Sequence, residues 1–280
     1  MKYKIEKNTV QETLIIPLYA RKVCSELYPN LYRDETAVRL IDEIDYDFSE
    51  AEKNSRGLMQ RFGSLEVAMR QNDLAFEVRD YLKSHPNAAV VNLGCGLDST
   101  GRSCDNGSCK IYNLDFPDVI AVRNELLPAG EREENIPCDL NNTEWFRKID
   151  SSNSAVFFSS GVFYYFLTEQ VKALVQQMAD AFPGSVLVFD AANRTAVKMI
   201  AKTWLKSAKI KDVGAYFAVS DAPQEISAWD SRLQVTSRGY MLGYTDLKDP
   251  SVSGFFRFLA RVGDGMMKMQ IVKIRFGGKQ

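Results

Sequence analysis

Ala88-Ala89-Val90-Val91-Asn92-Leu93-Gly94-Cys95-Gly96-Leu97-Asp98 is the stretch on which the fold turns. A short apolar run, rich in β-branched valine, breaks into Gly-x-Gly and then polar residues. A buried parallel strand that ends in a tight loop reads this way. Gly94 and Gly96 remove Cβ atoms where the backbone must bend sharply or let a ligand come close. Ile111-Tyr112-Asn113-Leu114-Asp115 is a second strand-like run. Its Asp115 falls at the interval, about 20 residues, at which an acid on the next strand binds ribose hydroxyls in nucleotide-binding α/β folds. The third glycine of the dinucleotide fingerprint is absent: Asp98 and Ser99 follow, and the next glycine is Gly101. A nucleoside without phosphates therefore suits the loop better than a pyrophosphate.

Outward from this point the pattern alternates between strand and helix, which predicts a mostly parallel sheet. Strand-like runs lie at 88–93, 110–115, weakly at 133–138, at 154–159 and at 185–190. Thr168 to Phe182 predicts a helix with Thr168 as its cap, one apolar stripe of Val171, Leu174, Val175, Met178 and Phe182, and a stop at Pro183-Gly184. Residues 1–85 read as helical, over 12–27, 34–44 and 64–82, with Ser64 as an N-cap. They form either a layer on the sheet or a cap over a ligand cleft. Near the C-terminus, 233–236 and 270–276 predict an edge hairpin-like pair, the second strand with one wet face, and 250–269 predicts a helix between them.

Bulk properties narrow the function. With 35 basic and 36 acidic residues among 280, no excess of positive charge speaks for nucleic acid or an anionic membrane. No apolar run approaches the roughly 20 residues that span a bilayer, and the first residues lack a signal peptide's apolar core. A soluble, cytoplasmic protein is expected; the oligomeric state is not legible. Five cysteines make an odd count for a disulfide framework, and with His85 as the only histidine no zinc set completes around Cys104 and Cys109. The lone histidine also argues against Ser-His-Asp or Cys-His hydrolysis.

Several motifs, in order, carry a resemblance. Val91-Asn92-Leu93-Gly94-Cys95-Gly96-Leu97-Asp98-Ser99-Thr100 is followed by Asn113-Leu114-Asp115-Phe116-Pro117-Asp118-Val119-Ile120 and by Cys138-Asp139-Leu140-Asn141. Ser160-Gly161-Val162-Phe163-Tyr164-Tyr165-Phe166 with Thr168-Glu169-Gln170-Val171 comes fourth, and Phe182-Pro183-Gly184-Ser185 leads into Phe189-Asp190. The set resembles the leucine carboxyl methyltransferase family, which are class I S-adenosylmethionine-dependent O-methyltransferases and include carboxyl methyltransferases of polyketide pathways. The resemblance covers roughly residues 10 to 200. With the runs above it implies a doubly wound, mostly parallel seven-stranded α/β sheet and an N-terminal helical cap. The expected organisation is one domain, divided as 1–85 cap, 86–190 cofactor core, 191–250 insertion and edge strand, and 251–280 terminal helix and strand.

The resemblance also implies roles. Arg70, or else Arg56 or Arg61, would pair with the carboxylate of the cofactor's methionine moiety. Gly94 and Gly96 would admit the nucleoside, Asp115 would bind its ribose, and Asp139 its adenine amine, with Leu140 and Phe116 as apolar walls. Ser160 stands where members often carry Glu near the methionine end, and Tyr165 would border the acceptor. Each residue has a plainer alternative. Asp115 could cap a turn, Asp139 could form an Asx-turn, Asp98 could cap a helix, and Asp190 could stabilise the start of its loop. A carboxylate acceptor, ionised at neutral pH with a pKa of about 4, needs no general base, and Arg194 or Lys198 could face it. The expected function is therefore S-adenosylmethionine-dependent methylation of a small-molecule carboxylate. A catalytically silent binder is the alternative that Ser160 keeps alive. An NAD(P) oxidoreductase is the other, although the Tyr-x-x-x-Lys pair it needs after the fourth strand is absent.

Overall fold

In the computed structural model residues 2–5, 10–200 and 216–278 are described. A two-residue strand, β1 (Tyr3–Lys4), pairs in parallel with β2 (Ile44–Asp45). The helices of this first part are α1 (Val10–Leu27), α2 (Glu35–Glu43), α3 (Ser49–Ser55) and α4 (Leu58–Ser84). Asp34 caps α2 by accepting the N–H of Ala37 at 2.8 Å, while Arg21 Nε holds its other oxygen at 2.9 Å. Helix α1 continues through Pro17. Ser64 is not a cap. It lies buried inside α4, where its Oγ donates to the carbonyl of Gln60 at 3.0 Å. The start of α4 is hidden from a periodicity reading because the apolar Leu58 and Met59 of its first turn are exposed.

The principal sheet has seven strands. β3 (Ala89–Leu93), β4 (Lys110–Asp115), β5 (Glu133–Pro137), β6 (Ala155–Ser159) and β7 (Val186–Ala191) run parallel. β8 (Leu233–Gly239) and β9 (Gln270–Phe276) complete it in the order β5-β4-β3-β6-β7-β9-β8, with β9 antiparallel to both neighbours. Between the parallel strands lie α5 (Thr100–Ser103), α6 (Pro117–Leu126) and α7 (Thr168–Ala181). Next come α8 (Arg194–Ile200), α9 (Ala222–Ser227) and α10 (Gly254–Gly265). Alternation along β3 divides the core: Val90 packs on the α4 side, while Ala89, Val91 and Leu93 pack on the α7 side. The stripe Val171, Leu174, Val175 and Met178 is buried as expected. Each such side chain contributes about 1.5–3 kcal/mol by leaving water.

Thr168 opens α7 without capping it; the amide N–H of Leu167 is accepted by the Gln170 side chain at 2.8 Å. The C-terminal strands do pair, but only β8 is an edge. β9 lies between β7 and β8, and it keeps the expected wet face, with Arg275 exposed and Lys273 half-buried. Lys273 is polar yet sheltered because its Nζ meets Glu77 of α4 at 2.8 Å. Of the expected insertion and edge strand at 191–250, residues 201–215 lie outside the described residues. Among the described residues no helix is long and apolar enough to cross a membrane, no group of three or more His, Cys, Asp or Glu could hold a metal, and the five cysteines are free.

Candidate cofactor site at the strand tips

The sheet winds outward from β3 through β4 to β5, and outward the other way from β6 to β7, so the switch falls between β3 and β6. Ligands of open α/β sheets bind beyond the carboxyl ends of the strands at such a switch. At that end Gly94 has φ +74° and Gly96 φ +47°, conformations that side chains resist. The amides of Gly94 and Cys95 both reach the carbonyl of Leu114, at 2.8 and 2.9 Å. Two arginines pin the rest of the loop. Arg123 Nη1 donates to the carbonyls of Gly96 and Asp98 at 2.9 and 2.7 Å, and Arg21 Nη2 donates to that of Leu97 at 3.0 Å. Ser99, not Asp98, is the N-cap residue of α5, while Asp98 Oδ1 accepts the N–H of Thr100 at 2.7 Å.

Asp115 is next to this loop. Its Oδ2 accepts the amide of Gly96 and its Oδ1 that of Phe116, both at 2.8 Å, leaving further lone pairs on each oxygen. Burial raises its pKa, against the pull of those two N–H groups. The carbonyl of Asp115 accepts the N–H of Cys138 at 2.8 Å, which brings the Asp139 segment alongside. Asp139 forms the plainer Asx-turn, with Oδ1 accepting the N–H and Nδ2 of Asn141 at 2.9 and 3.0 Å, and it is exposed. Leu140 is buried in the core at 6% exposure, whereas Phe116 is 45% exposed beside Asp115.

The other side of the switch is built by β6, β7 and α4. Ser159 Oγ donates to the carbonyl of Leu93 at 3.0 Å, and Ser160 Oγ donates to Gln71 Oε1 at 3.0 Å. Gln71 Nε2 in turn contacts Thr100 Oγ1. Gly161 has φ +72°, and its amide donates to Asp190 Oδ1 at 2.6 Å. Arg70 does reach the strand tips, where its Nη1 meets Asp190 Oδ2 at 3.1 Å. Asp190 thus does more than steady its own loop. Burial disfavours the Arg70 cation, and Asp190, Tyr240 and Tyr164 together more than offset this, so the guanidinium stays charged. Its Nε is buried without a hydrogen-bond partner. Arg56 and Arg61 stand elsewhere, on the wall of a cavity of about 640 Å³ among the N-terminal helices that includes none of the strand-tip residues. At the tips themselves, a Cβ on Gly94 would clash with Val162 Cγ2 and one on Gly96 would meet Leu14 Cδ2 at 3.2 Å. Helix α1 therefore closes over the first loop.

Tyr165 is 45% exposed in the short turn Phe163–Tyr165, while Phe163 and Tyr164 are buried. Arg194 and Lys198 are exposed on α8, just past β7. His85 is remote from the tips, capping the far end of α4 and stacked on Tyr81 with ring centroids 4.2 Å apart. The set of groups fits a phosphate-free nucleoside bearing a carboxylate: tight glycine turns, a partly exposed acid, and an orphaned guanidinium N–H at the switch point.

The sequence profile of the leucine carboxyl methyltransferase family matches residues 17–179, more than half of the chain. The chain belongs to the leucine carboxyl methyltransferase family. It is 27% identical over 183 residues to the tetracenomycin polyketide synthesis O-methyltransferase TcmP of Streptomyces glaucescens, covering 65% of this chain and 66% of that protein, just under two thirds of its length. It is 25% identical over 258 residues to the S-adenosyl-L-methionine-dependent methyltransferase dpfgK of Gibberella zeae, covering 86% and 85%. Among solved structures, a Thermobifida fusca protein assigned to the methyltransferases aligns with TM-score 0.57 at 18% identity, over 92% of this chain and 94% of that one. A DUF574 family protein of Streptomyces avermitilis aligns with TM-score 0.58 at 12% identity, over 91% and 96%. At those identities the two structures speak for the fold alone. The family description and both relatives' names are those of methyltransferases, that of dpfgK naming S-adenosyl-L-methionine.

Proposed function

We propose that the protein methylates an oxygen of a small organic molecule, a carboxylate in the first place, with S-adenosylmethionine as donor. The observation that carries this reading is the orphaned Nε of Arg70 beside Gly161 at the switch point, a place for a carboxylate-bearing ligand rather than a phosphate. In this reading Gly94 and Gly96 admit the nucleoside, Asp115 takes the ribose hydroxyls with its spare lone pairs, and Asp139 accepts from the adenine amine through its free Oδ2. Phe116 lies along the base and Leu140 supports the wall from the core. Ser160 with Gln71 occupies the methionine end in place of the family's usual Glu, and Tyr165 borders the acceptor.

Bound there, the sulfonium supplies an electrophilic methyl group. The chain's own work is to align an acceptor oxygen behind that methyl and keep water away. A carboxylate oxygen brings no proton to remove, which suits a site whose one histidine is at the far end of α4. Arg194 and Lys198, exposed in the first and last turns of α8, favour the approach of an anion. The polyketide assignment of the Streptomyces relative supports a small molecule over a protein terminus.

One observation favours a second reading. Glu66, one turn before Arg70 on α4, makes no hydrogen bond or ion pair among the described residues, and burial, against the pull of Arg70, pushes its carboxyl up to about 7. A carboxylate so poised could serve as general base for a phenol or enol. Labelled methyl donor, offered with a panel of carboxylic acids and phenols, separates the two. A base-labile methyl ester is the expected product. A base-stable ether would move the acceptor to a hydroxyl, and no transfer to any acceptor would make the protein a silent binder.

A further inference from the structure

Asp190 stands on β7, 2% exposed, and its two oxygens reach two different elements. Oδ1 takes the amide of Gly161 and Oδ2 takes Nη1 of Arg70, so one carboxylate ties α4 to the loop after β6. The buried Tyr164 phenol is a third neighbour; burial first, and then the Asp190 charge, raise its pKa. Gly161 allows the approach, since a Cβ there would lie 3.0 Å from both Nη1 and Nη2. The salt bridge engages Nη1 alone and leaves Nε buried and unpaired. Nε and Nη2 form the side of a guanidinium that grips a carboxylate through two parallel hydrogen bonds. An unmet buried donor is costly, and an arriving carboxylate would satisfy it.

We propose that Asp190 is a positioning residue for the amino-acid end of the cofactor: it holds Nη1 of Arg70 against the Gly161 turn and so presents the Nε–Nη2 side to the methionine carboxylate. The inference rests on the site being that of S-adenosylmethionine. It assigns a role to a residue beyond the 17–179 stretch that the family profile matches, and it acts only through Arg70. A simple staple between α4 and β7 would affect every ligand of the site alike. A positioning residue affects those ligands that carry the amino-acid tail.

The test is equilibrium dialysis of wild type, Asp190→Asn, Arg70→Met and the double variant, each with S-adenosylhomocysteine and with 5′-methylthioadenosine, which lacks the tail. Unfolding midpoints without ligand check that each variant is folded. Asp190→Asn can still accept from Gly161 but no longer holds the guanidinium by charge. It should weaken S-adenosylhomocysteine about tenfold and leave methylthioadenosine within about twofold. In the Arg70→Met background the same change should add less than about twofold, because its target is gone. The double variant also removes any buried unpaired charge, so the cycle stays readable if Asp190→Asn alone unfolds. Equal weakening of both ligands, additive losses, or unchanged affinity for S-adenosylhomocysteine would each overturn the proposal. A wild type that binds neither ligand would overturn the cofactor reading itself, and the inference with it.

Discussion

Gly94 carries two constraints at once. Its φ of +74° resists any side chain, and a Cβ there would press on Val162. Gly94→Ala should therefore lose about 2 kcal/mol or more in urea unfolding. Adding Val162→Ala should recover only part of the loss, because it relieves the clash and not the backbone. Asp73 sets a pH dependence. Burial, and then Asp264 and Glu77, push its carboxyl up to about 9, and its Oδ2 has no partner. A carboxyl whose folded pKa lies above its unfolded value of about 3.9 contributes fully only below that unfolded value. That contribution is lost as pH rises through the window up to about 9. Asp73→Asn should thus stabilise the protein by more than about 1 kcal/mol at pH 8.5 and little at pH 4, read as urea midpoints. The tight turns at Gly94 and Gly96 were legible in the sequence because each stands in a local pattern. The tie of Asp190 to Arg70 and that of Gln71 to Ser160 were not. Asp190 meets Arg70 across 120 residues and Gln71 meets Ser160 across 89, separations that no local period encodes. Gly161, with its positive φ just after a strand, was the one available signal.

Elements were legible to different degrees for physical reasons. β-branched runs bounded by turn residues placed β3, β4, β6 and β7 to within a residue or two of their ends. Helix starts fared worse, since the caps at α4 and α7 are not the hydroxyl residues a pattern suggests. The β3–α5 loop shows why a local reading stops short. Its shape depends on Arg123, 1% exposed and held by the carbonyls of Gly96 and Asp98 and by Asn135 Oδ1 at 3.1 Å. An arginine in a helix reads as a solvated residue. Here it is a buried brace. Arg123→Met should strip three acceptors of their donor and cost about 3 kcal/mol in stability. It should also loosen the grip on S-adenosylhomocysteine measurably, whereas the same change at exposed Arg39 should do neither.

The last strand of the seven-stranded sheet is inserted between two earlier ones, β9 against both β7 and β8. Deleting residues 268–280 should therefore abolish cooperative unfolding rather than trim an edge, which circular dichroism in urea would detect. The parallel core was readable from alternation. The closure of α1 over Gly96 was not readable, because Leu14 looks like any apolar helix residue until the chain brings it there. Everything functional rests on the two sides of that switch receiving one nucleoside. Calorimetric titration of the full chain with S-adenosylmethionine, and separately with NAD, tests this most directly. A saturable isotherm of one site per chain with S-adenosylmethionine and no heat with NAD is the expected result. Binding of NAD alone, or of neither, would contradict it.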